Sequence, residues 1–167
     1  IGCHSSRKTS QTSGSGSIKS TVKLTRKVPA VSIATGNTDA NELVTYAESL
    51  AGTHYRYGGN SPKEGFDCSG FVWYVFRQFN VKVPRRSVDF AYAGRVVAID
   101  EAKRGDLILF TGSNPNSGEV GHLGIVVANK NNHVSFIHSA SGGGKGVMVS
   151  GMSEYFITRF VKVLRIF

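Results

Sequence analysis

The spacing of hydrophobic positions along the chain changes after Gly94. Before this point, apolar residues recur at intervals of three and four, as in Phe71, Val72, Val75 and Phe76, which is the spacing of one face of a helix. Beyond it, short runs rich in β-branched and aromatic residues alternate with Gly, Asn, Pro and Lys, which is typical of strands and turns. Helices followed by strands predict an α+β fold in which the helices cover one side of an antiparallel sheet.

Three helices and six strands are predicted from these patterns. Thr38 or Asp39 caps the first helix and Gly52 stops it, and the second helix runs from about Cys68 to Asn80. Ser87 caps a short third helix. The predicted strands are residues 96–99, 106–111, 122–128, 133–139, 146–149 and 160–167.

Residues 1–38 differ from the rest of the chain in composition and charge. They carry six basic side chains and no acidic one, whereas the remainder carries 14 basic and 11 acidic side chains, so the net charge of +9 comes mostly from this segment. Because Ser, Thr, Gly, Lys and Arg dominate it, we expect a disordered basic linker, followed by one domain at 39–167. Its charge suits a phospholipid surface or an acidic wall polymer, and nucleic acid is disfavoured because no aromatic residues alternate with the basic ones.

The chain contains two cysteines, Cys3 and Cys68. Ile1-Gly2-Cys3 resembles the end of a bacterial lipoprotein signal, so Cys3 is a candidate lipid anchor, the alternative being an ordinary cysteine. Cys68 lies where a glycine-rich loop gives way to the second helix, and the free amide groups and dipole of a first helical turn stabilise a thiolate. Most free cysteines are instead small buried core residues, so a reactive Cys68 requires a base nearby.

His122 and His138 are the candidate partners of Cys68. They lie at the start and the end of two strands that are predicted to form a hairpin, so both come to its open end. They share a face of the sheet if the loop centred on Lys130 has an odd number of residues or if the pair contains a bulge, whereas an even loop places them on opposite faces. On a shared face, His122 is the base and His138 orients it, which is the arrangement of covalent catalysis. The alternative is that both histidines only fill positions at the sheet edge.

Other sites are disfavoured. Residues 141–146 lack the Ser or Thr that follows the lysine of a phosphate loop, and they join two strands. A hydrolytic zinc ion would take Cys68, His122 and His138 as ligands at the expense of the nucleophile, and no paired cysteines suit a structural zinc. No metal or other cofactor is therefore predicted. His133 is expected to be exposed to solvent.

Five successive motifs resemble the NlpC family of bacterial cell-wall cysteine peptidases. The motifs are Tyr55-Arg56-Tyr57-Gly58-Gly59, Asp67-Cys68-Ser69-Gly70-Phe71, Arg104-Gly105-Asp106-Leu107, Gly121-His122-Leu123-Gly124-Ile125 and Phe136-Ile137-His138-Ser139-Ala140. They occur in the family's order, which makes the set far more specific than any one motif. The resemblance implies a papain-like α+β fold, with N-terminal helices packed on a central antiparallel sheet of about five or six strands.

The same resemblance implies roles for individual residues. Cys68 is the nucleophile, His122 the base and His138 the third polar residue. The Tyr55 hydroxyl lies near the oxyanion site, and Asp67 and Ser69 help to form the substrate subsite. One departure is His54, where the family often has proline.

The resemblance also implies a function. The expected activity is hydrolysis of peptidoglycan amides through a cysteine thiolate and a thioester intermediate. The protein is expected to be a monomer that is secreted or held as a lipoprotein at the periplasmic face of the outer membrane. Either the γ-D-glutamyl–diamino acid bond or the D-alanyl–diaminopimelate cross-link is the target. Two alternatives stay open, namely an amidase or acyltransferase of a related thiol fold and a non-catalytic wall-binding module. Arg56, Arg85 and Arg86 are unranked candidates to bind substrate carboxylates.

Overall fold

The computed structural model describes residues 32–142 and 146–167, which form an α+β structure. The helices are α1 (Ala40–Ser49), α2 (Cys68–Gln78) and α3 (Glu154–Ile157), with 3-10 helices at Ser87–Tyr92 and Ile99–Glu101. The strands are β1 (Asn60–Ser61), β2 (Gly65–Phe66), β3 (Arg95–Val97), β4 (Leu107–Thr111), β5 (Val120–Lys130), β6 (His133–Ala140), β7 (Gly146–Gly151) and β8 (Phe160–Arg165). No helix within the described ranges has the length and apolar character needed to cross a membrane.

The six predicted strands are confirmed and lie in one antiparallel sheet. Their order is β3-β8-β4-β5-β6-β7, and the short strands β1 and β2 pair separately. Hairpin connections therefore join β4 through β7, as the closely spaced strand patterns indicated. Strands β3 and β7 form the edges of the sheet.

Helix α1 begins at one of the two residues predicted to cap it. The carboxylate of Asp39 accepts hydrogen bonds from the amides of Asn41 (2.6 Å) and Glu42 (3.1 Å), and so satisfies two donors that the first turn leaves free. After the helix ends, Gly52 has a φ of +87° and its amide donates to the carbonyl of Val147 at 2.8 Å. The buried face of the helix consists of Leu43, Val44 and Ala47.

Helix α2 begins at Cys68, as predicted, and Asp67 caps it. The carboxylate of Asp67 accepts a hydrogen bond from the amide of Gly70 at 2.5 Å. The apolar residues that predicted the helix, Phe71, Val72, Val75 and Phe76, are fully buried. The next predicted helix is a 3-10 helix at Ser87–Tyr92. Ser87 does not cap it, because Arg86 occupies the N-cap position and makes no side-chain capping bond.

The sheet is buried on both faces. Successive residues of β4 alternate between two cores. Leu107 and Leu109 lie in a larger core shared with α1 and α2, whereas Ile108 and Phe110 lie in a smaller one. The smaller core is covered by Ile99, Met152 and Phe156, which belong to the second 3-10 helix and to the region of α3. These covering elements are too short to produce a helical period in the sequence. The hydrophobic pattern therefore predicted only the face of the sheet that the longer helices cover. Ile33 also packs in the larger core. This core therefore includes a residue that precedes the predicted start of the domain at residue 39.

The turn between β5 and β6 has an even number of residues, and a bulge corrects the register. Lys130 pairs with His133, so only two asparagines form the turn, and both have positive φ (51° and 65°), as a type I′ turn requires. The odd loop is therefore wrong. At Val127 the register shifts by one residue, because Ala128 pairs with Ser135 whereas Val126 pairs with Phe136. This shift, which is the predicted alternative of a bulge, returns residues 122 and 138 to a shared face.

Candidate active site

The candidate site lies where the first turn of α2 meets the open end of the β5–β6 hairpin. Cys68 is the first residue of α2, His122 lies near the start of β5, and His138 lies near the end of β6. All three line one cavity of about 550 Å³. The Cys68 Sγ lies 3.9 Å from the carbonyl oxygen of Gly121, the residue before His122. The fold thus brings the three predicted site residues together.

The two imidazoles form a directed chain of hydrogen bonds. Nε2 of His122 lies 2.9 Å from Nδ1 of His138, and Nε2 of His138 lies 2.9 Å from Oγ of Ser150. If Nδ1 of His122 is to accept a proton from Cys68, its Nε2 must carry the hydrogen and donate it to Nδ1 of His138. The Nε2–H of His138 then donates to Ser150. In this arrangement His138 accepts from His122 through Nδ1 and donates to Ser150 through Nε2.

Burial keeps the site uncharged in the free protein. Burial lowers the pKa of His122 to about 3, with a smaller contribution from His138, and lowers the pKa of His138 to about 4. Burial also raises the pKa of the Cys68 thiol to about 11, and the carboxylate of Asp67 adds to this shift. The amide groups of the first turn of α2 act in the opposite direction, as the sequence predicted, but burial outweighs them. A neutral thiol therefore faces neutral imidazoles at pH 7.

Three phenylalanines pack against the two histidine rings. Phe156 of α3 is stacked near His122 (centroids 6.3 Å apart) and meets His138 edge to face (5.4 Å). Phe110 lies 6.1 Å from His122, and Phe136 lies 5.1 Å from His138. The smaller core thus packs against both rings, leaving His138 2% exposed and His122 partly exposed.

Two glycines allow the backbones around the histidines to approach closely. Thr111 pairs with Val120 but Phe110 pairs with His122, so Gly121 is an extra residue in β5. A Cβ atom on Gly121 would lie 2.6 Å from the Cα and N of Gly112. A Cβ on Gly124 would lie 2.8 Å from the carbonyl oxygen of Ile137, and 3.2 Å from the Cβ of His138. The separations of 2.6 Å at Gly121 and 2.8 Å at Gly124 are shorter than a normal contact, so only glycine fits at either position.

Tyr55 is the remaining predicted site residue that lines the cavity. A parallel bridge to Phe66 holds its backbone beside the start of α2. Burial raises the pKa of Tyr55, with a further contribution from Cys68, so its hydroxyl keeps its proton at neutral pH and is available as a donor.

Asp67 and Ser69 lie beside the cavity and outside its lining. Oδ1 of Asp67 accepts from the hydroxyl of Ser69 at 3.1 Å and from Nη1 of Arg85 at 3.3 Å, and the same Nη1 donates to Oγ of Ser69 at 3.1 Å. Nη2 of Arg85 also donates to the carbonyl of Gly58 at 2.9 Å. This network joins the start of α2 to the Tyr55 loop. A substrate role for Asp67 and Ser69 stays a prediction.

The arginines that could bind a substrate carboxylate differ in how close they lie to the cavity. Arg86 is paired with Asp89 on the surface, and Arg56 lies 3.9 Å from Glu64 with both side chains exposed. Among the described residues that line the cavity, Arg159 alone carries a permanent charge. Neither Arg159 nor Ser150 was indicated by the sequence, since both contribute single polar groups outside any motif.

The other candidates lie away from the cavity lining or outside the structure. His133 is exposed, as predicted, and its Nδ1–H donates to the carbonyl of Asn131 at 2.9 Å. His54 is also exposed, and its Nε2–H donates to the carbonyl of Glu64 at 3.0 Å. Cys3 falls outside the described residues. Within 32–142 and 146–167, no three His, Cys, Asp or Glu side chains cluster in a way that could hold a metal ion.

Comparison with known sequences gives one family match and several named relatives. Residues 52–165 match the NlpC/P60 family. The murein DD-endopeptidase MepS (murein LD-carboxypeptidase) of Escherichia coli strain K12 is 36% identical over 118 residues, which are 69% of this chain and 56% of that protein. The gamma-DL-glutamyl hydrolase of Bacillus subtilis strain 168 is 30% identical over 136 residues, which are 80% of this chain and 32% of that protein. The chain therefore spans about half the length, or less, of these curated relatives.

Comparison with solved structures supports the same grouping. The peptidoglycan hydrolase RipB of Mycobacterium tuberculosis is 34% identical and superposes with a TM-score of 0.61, covering 76% of this chain and 64% of that one. The predicted papain-like α+β fold is thus confirmed.

Proposed function

Because this chain belongs to the NlpC/P60 family, we propose that it is a cysteine endopeptidase that hydrolyses amide bonds in peptidoglycan stem peptides or cross-links. The observation that carries the proposal is the placement of Cys68, His122 and His138 around one cavity, with the imidazoles hydrogen-bonded in series. Relatives named murein DD-endopeptidase and gamma-DL-glutamyl hydrolase support this substrate class.

In the proposed reaction, the Cys68 sulfur attacks the carbonyl carbon while Nδ1 of His122 takes the thiol proton. Since burial disfavours a free thiolate, proton transfer and attack occur together. The carbonyl electrons move to oxygen, and the backbone N–H of Cys68 and the hydroxyl of Tyr55 stabilise the oxyanion. When the intermediate collapses, the C–N bond breaks and the His122 imidazolium protonates the leaving amine. A water molecule, deprotonated by His122, then hydrolyses the thioester and restores the thiol.

His138 and Ser150 act through His122. The ring of His138 accepts the Nε2–H of His122 and so keeps Nδ1 directed at the thiol. When His122 becomes positively charged, the same acceptor stabilises the imidazolium. Ser150 holds His138 in the tautomer that can accept. No cofactor takes part in any of these steps.

The proposed location is the cell envelope or the exterior of the cell, where peptidoglycan lies. The basic segment that precedes Ile33 serves as a tether ahead of the catalytic domain, and acylation of Cys3 attaches that tether to a membrane as a lipoprotein. The basic side chains of the tether favour an anionic surface. The domain acts as a monomer.

The test is incubation of the protein with two defined muropeptides. One contains the γ-D-glutamyl–diaminopimelate bond and the other a D-alanyl–diaminopimelate cross-link, and mass spectrometry identifies the fragments. Cys68→Ala, which removes only the sulfur, is the control. Fragments that appear with the wild type and not with Cys68→Ala support the proposal and identify the bond. The proposal fails if the wild type releases nothing that Cys68→Ala does not release.

A further inference from the structure

Arg159 is a fixed cation in the wall of the active-site cavity. Its Cζ lies 3.8 Å from the ring centroid of Tyr155, which the guanidinium covers. Nη1 donates to the Tyr155 carbonyl at 3.1 Å and to the hydroxyl of Thr158 at 3.2 Å, and Nη2 donates to the carbonyl of Ser113 at 3.3 Å. All of these acceptors are neutral, and no described carboxylate forms an ion pair with Arg159. The guanidinium is therefore held in one orientation, and no described carboxylate neutralises its charge.

Two polar atoms, one in this guanidinium and one in a neighbouring residue, have no hydrogen-bond partner. They are Nε of Arg159 and Oγ1 of Thr111, whose side chain is 4% exposed. The amide of Thr111 donates to the carbonyl of Arg159 at 2.8 Å, so the two residues are neighbours, and both line the cavity. Buried polar groups in native proteins are nearly always paired. An unpaired N–H and an unpaired hydroxyl on two neighbouring residues, one of them positively charged, suit an anionic acceptor that enters the cavity.

Contacts between the rings place this corner of the cavity beside His122. Phe156 stacks near His122 and packs against Tyr155 at 5.2 Å, and Tyr155 holds Arg159. In the proposed reaction His122 gives its proton to the leaving amine, so the amine side of the scissile bond lies next to His122. The corner of Arg159 and Thr111 therefore faces the residue that carries the leaving amine.

We propose that Arg159 and Thr111 bind a carboxylate of the diaminopimelate residue whose amine is released, an inference that rests on the proposed function. Both candidate bonds, γ-D-glutamyl–diaminopimelate and D-alanyl–diaminopimelate, release an amine of this residue. A guanidinium matches a carboxylate in shape and charge, and the Thr111 hydroxyl supplies another donor after a small shift of the two side chains. None of the described residues that line the cavity is acidic, so nothing there repels the carboxylate.

The test compares muropeptides that differ in one group, the free carboxylate of diaminopimelate or its amide. For the wild type we expect kcat/KM to be about tenfold or more higher for the free carboxylate, mainly through a lower KM. Arg159→Gln removes this preference by lowering kcat/KM for the free carboxylate only. Arg159→Lys keeps part of the preference, and Thr111→Val reduces it. Arg95→Gln, which removes an exposed cation of β3 outside the cavity lining, leaves the preference unchanged and is the matched control.

Binding measurements separate this inference from the proposed function. Calorimetry with the Cys68→Ala protein and the same two peptides measures the preference without any hydrolysis. Equal affinities for the acid and the amide overturn the inference even if hydrolysis is observed, and so does an Arg159→Gln protein that is folded by thermal melting and keeps the full preference. A preference that depends on Arg159 in a protein that cleaves nothing supports the inference while the endopeptidase proposal fails.

Discussion

Nε2 of His122 and Nδ1 of His138 lie 2.9 Å apart, with the two rings nearly perpendicular at 89°. This contact uses the far nitrogen of His122 and leaves Nδ1 as its only nitrogen for Cys68. The two-residue turn alone would place the two rings on opposite faces of the sheet. The bulge at Val127 returns them to the same face. The proposed chemistry therefore depends on one extra residue in β5.

His138→Ala should lower kcat/KM by about 100-fold or more, because His122 loses the group that fixes its tautomer. His138→Gln should retain more activity, since its side-chain oxygen can accept the Nε2–H of His122. Muropeptide hydrolysis, followed by fragment release, measures both. Wild-type activity in His138→Ala would show that the hydrogen bond between the rings has no catalytic role.

Ser150→Ala should lower kcat/KM by about three- to tenfold, which corresponds to the loss of one hydrogen bond of roughly 1 kcal/mol. The reason is that His138 loses the acceptor for its Nε2–H. Ser150→Thr restores the hydroxyl and should recover activity. Ser153→Ala is the matched control, because Ser153 lines the same cavity without a hydrogen bond from its side chain to His138. Equal losses in the two alanine variants would contradict the prediction.

Alkylation of Cys68 should be slow at neutral pH and should speed up with pH. Because burial raises the thiol pKa to about 11, the thiolate fraction, and with it the rate, should rise about tenfold per pH unit between pH 6 and 9. Iodoacetamide labelling in a Cys3→Ser background measures this rate without the other cysteine, and Cys68→Ala gives the blank. Fast labelling that does not change between pH 5 and 8 would instead indicate a thiolate–imidazolium pair.

The two histidines of the site should make the protein less stable in mild acid. Their pKa values are about 3 and 4 in the folded protein, against 6.5 for an ordinary histidine, which represents the unfolded chain. Below pH 6.5 the unfolded chain binds protons that the folded protein does not, so this contribution to stability is complete above pH 6.5 and is lost as the pH falls towards 3 to 4. The free energy of unfolding should fall by up to about 1.4 kcal/mol per pH unit for each histidine.

Urea unfolding at pH 7, 6 and 5 measures this loss. A His122→Gln, His138→Gln double variant has no imidazole to protonate at these positions and should show a flatter dependence on pH than the wild type. Carboxylates contribute to both proteins alike, so the difference in slope isolates the histidines. Identical slopes would contradict the buried neutral state of the rings.

Gly121→Ala should destabilise the fold by about 1–3 kcal/mol, because its Cβ overlaps the backbone of Gly112. The same overlap displaces His122, so activity should fall more than stability alone explains. Gly151→Ala is the control, since a Cβ there meets no atom within 4 Å. Chemical denaturation and muropeptide hydrolysis measure the two effects, and a Gly121→Ala protein that matches Gly151→Ala in both would refute this account.

Much of the fold could be predicted from local patterns. The cap at Asp39, the start of α2 at Cys68 and the six strands follow from side-chain chemistry and periodicity within a few residues of each position. The smaller core was harder to predict, because α3 has four residues and no helical period. The continuous apolar run of β4 is the signal that the sheet is buried on both faces.

The sequence by itself determined which chemical groups the site contains, and the tertiary structure decided how they are used. Cys68, His122 and His138 could be singled out because a cysteine at a helix start and histidines at strand ends are local features. Their shared face depends on the bulge at Val127, and a bulge is set by packing between strands rather than by composition. The partners Ser150 and Arg159 come from distant segments. The charge state of the thiol is decided by burial, which arises only when the chain has folded around it.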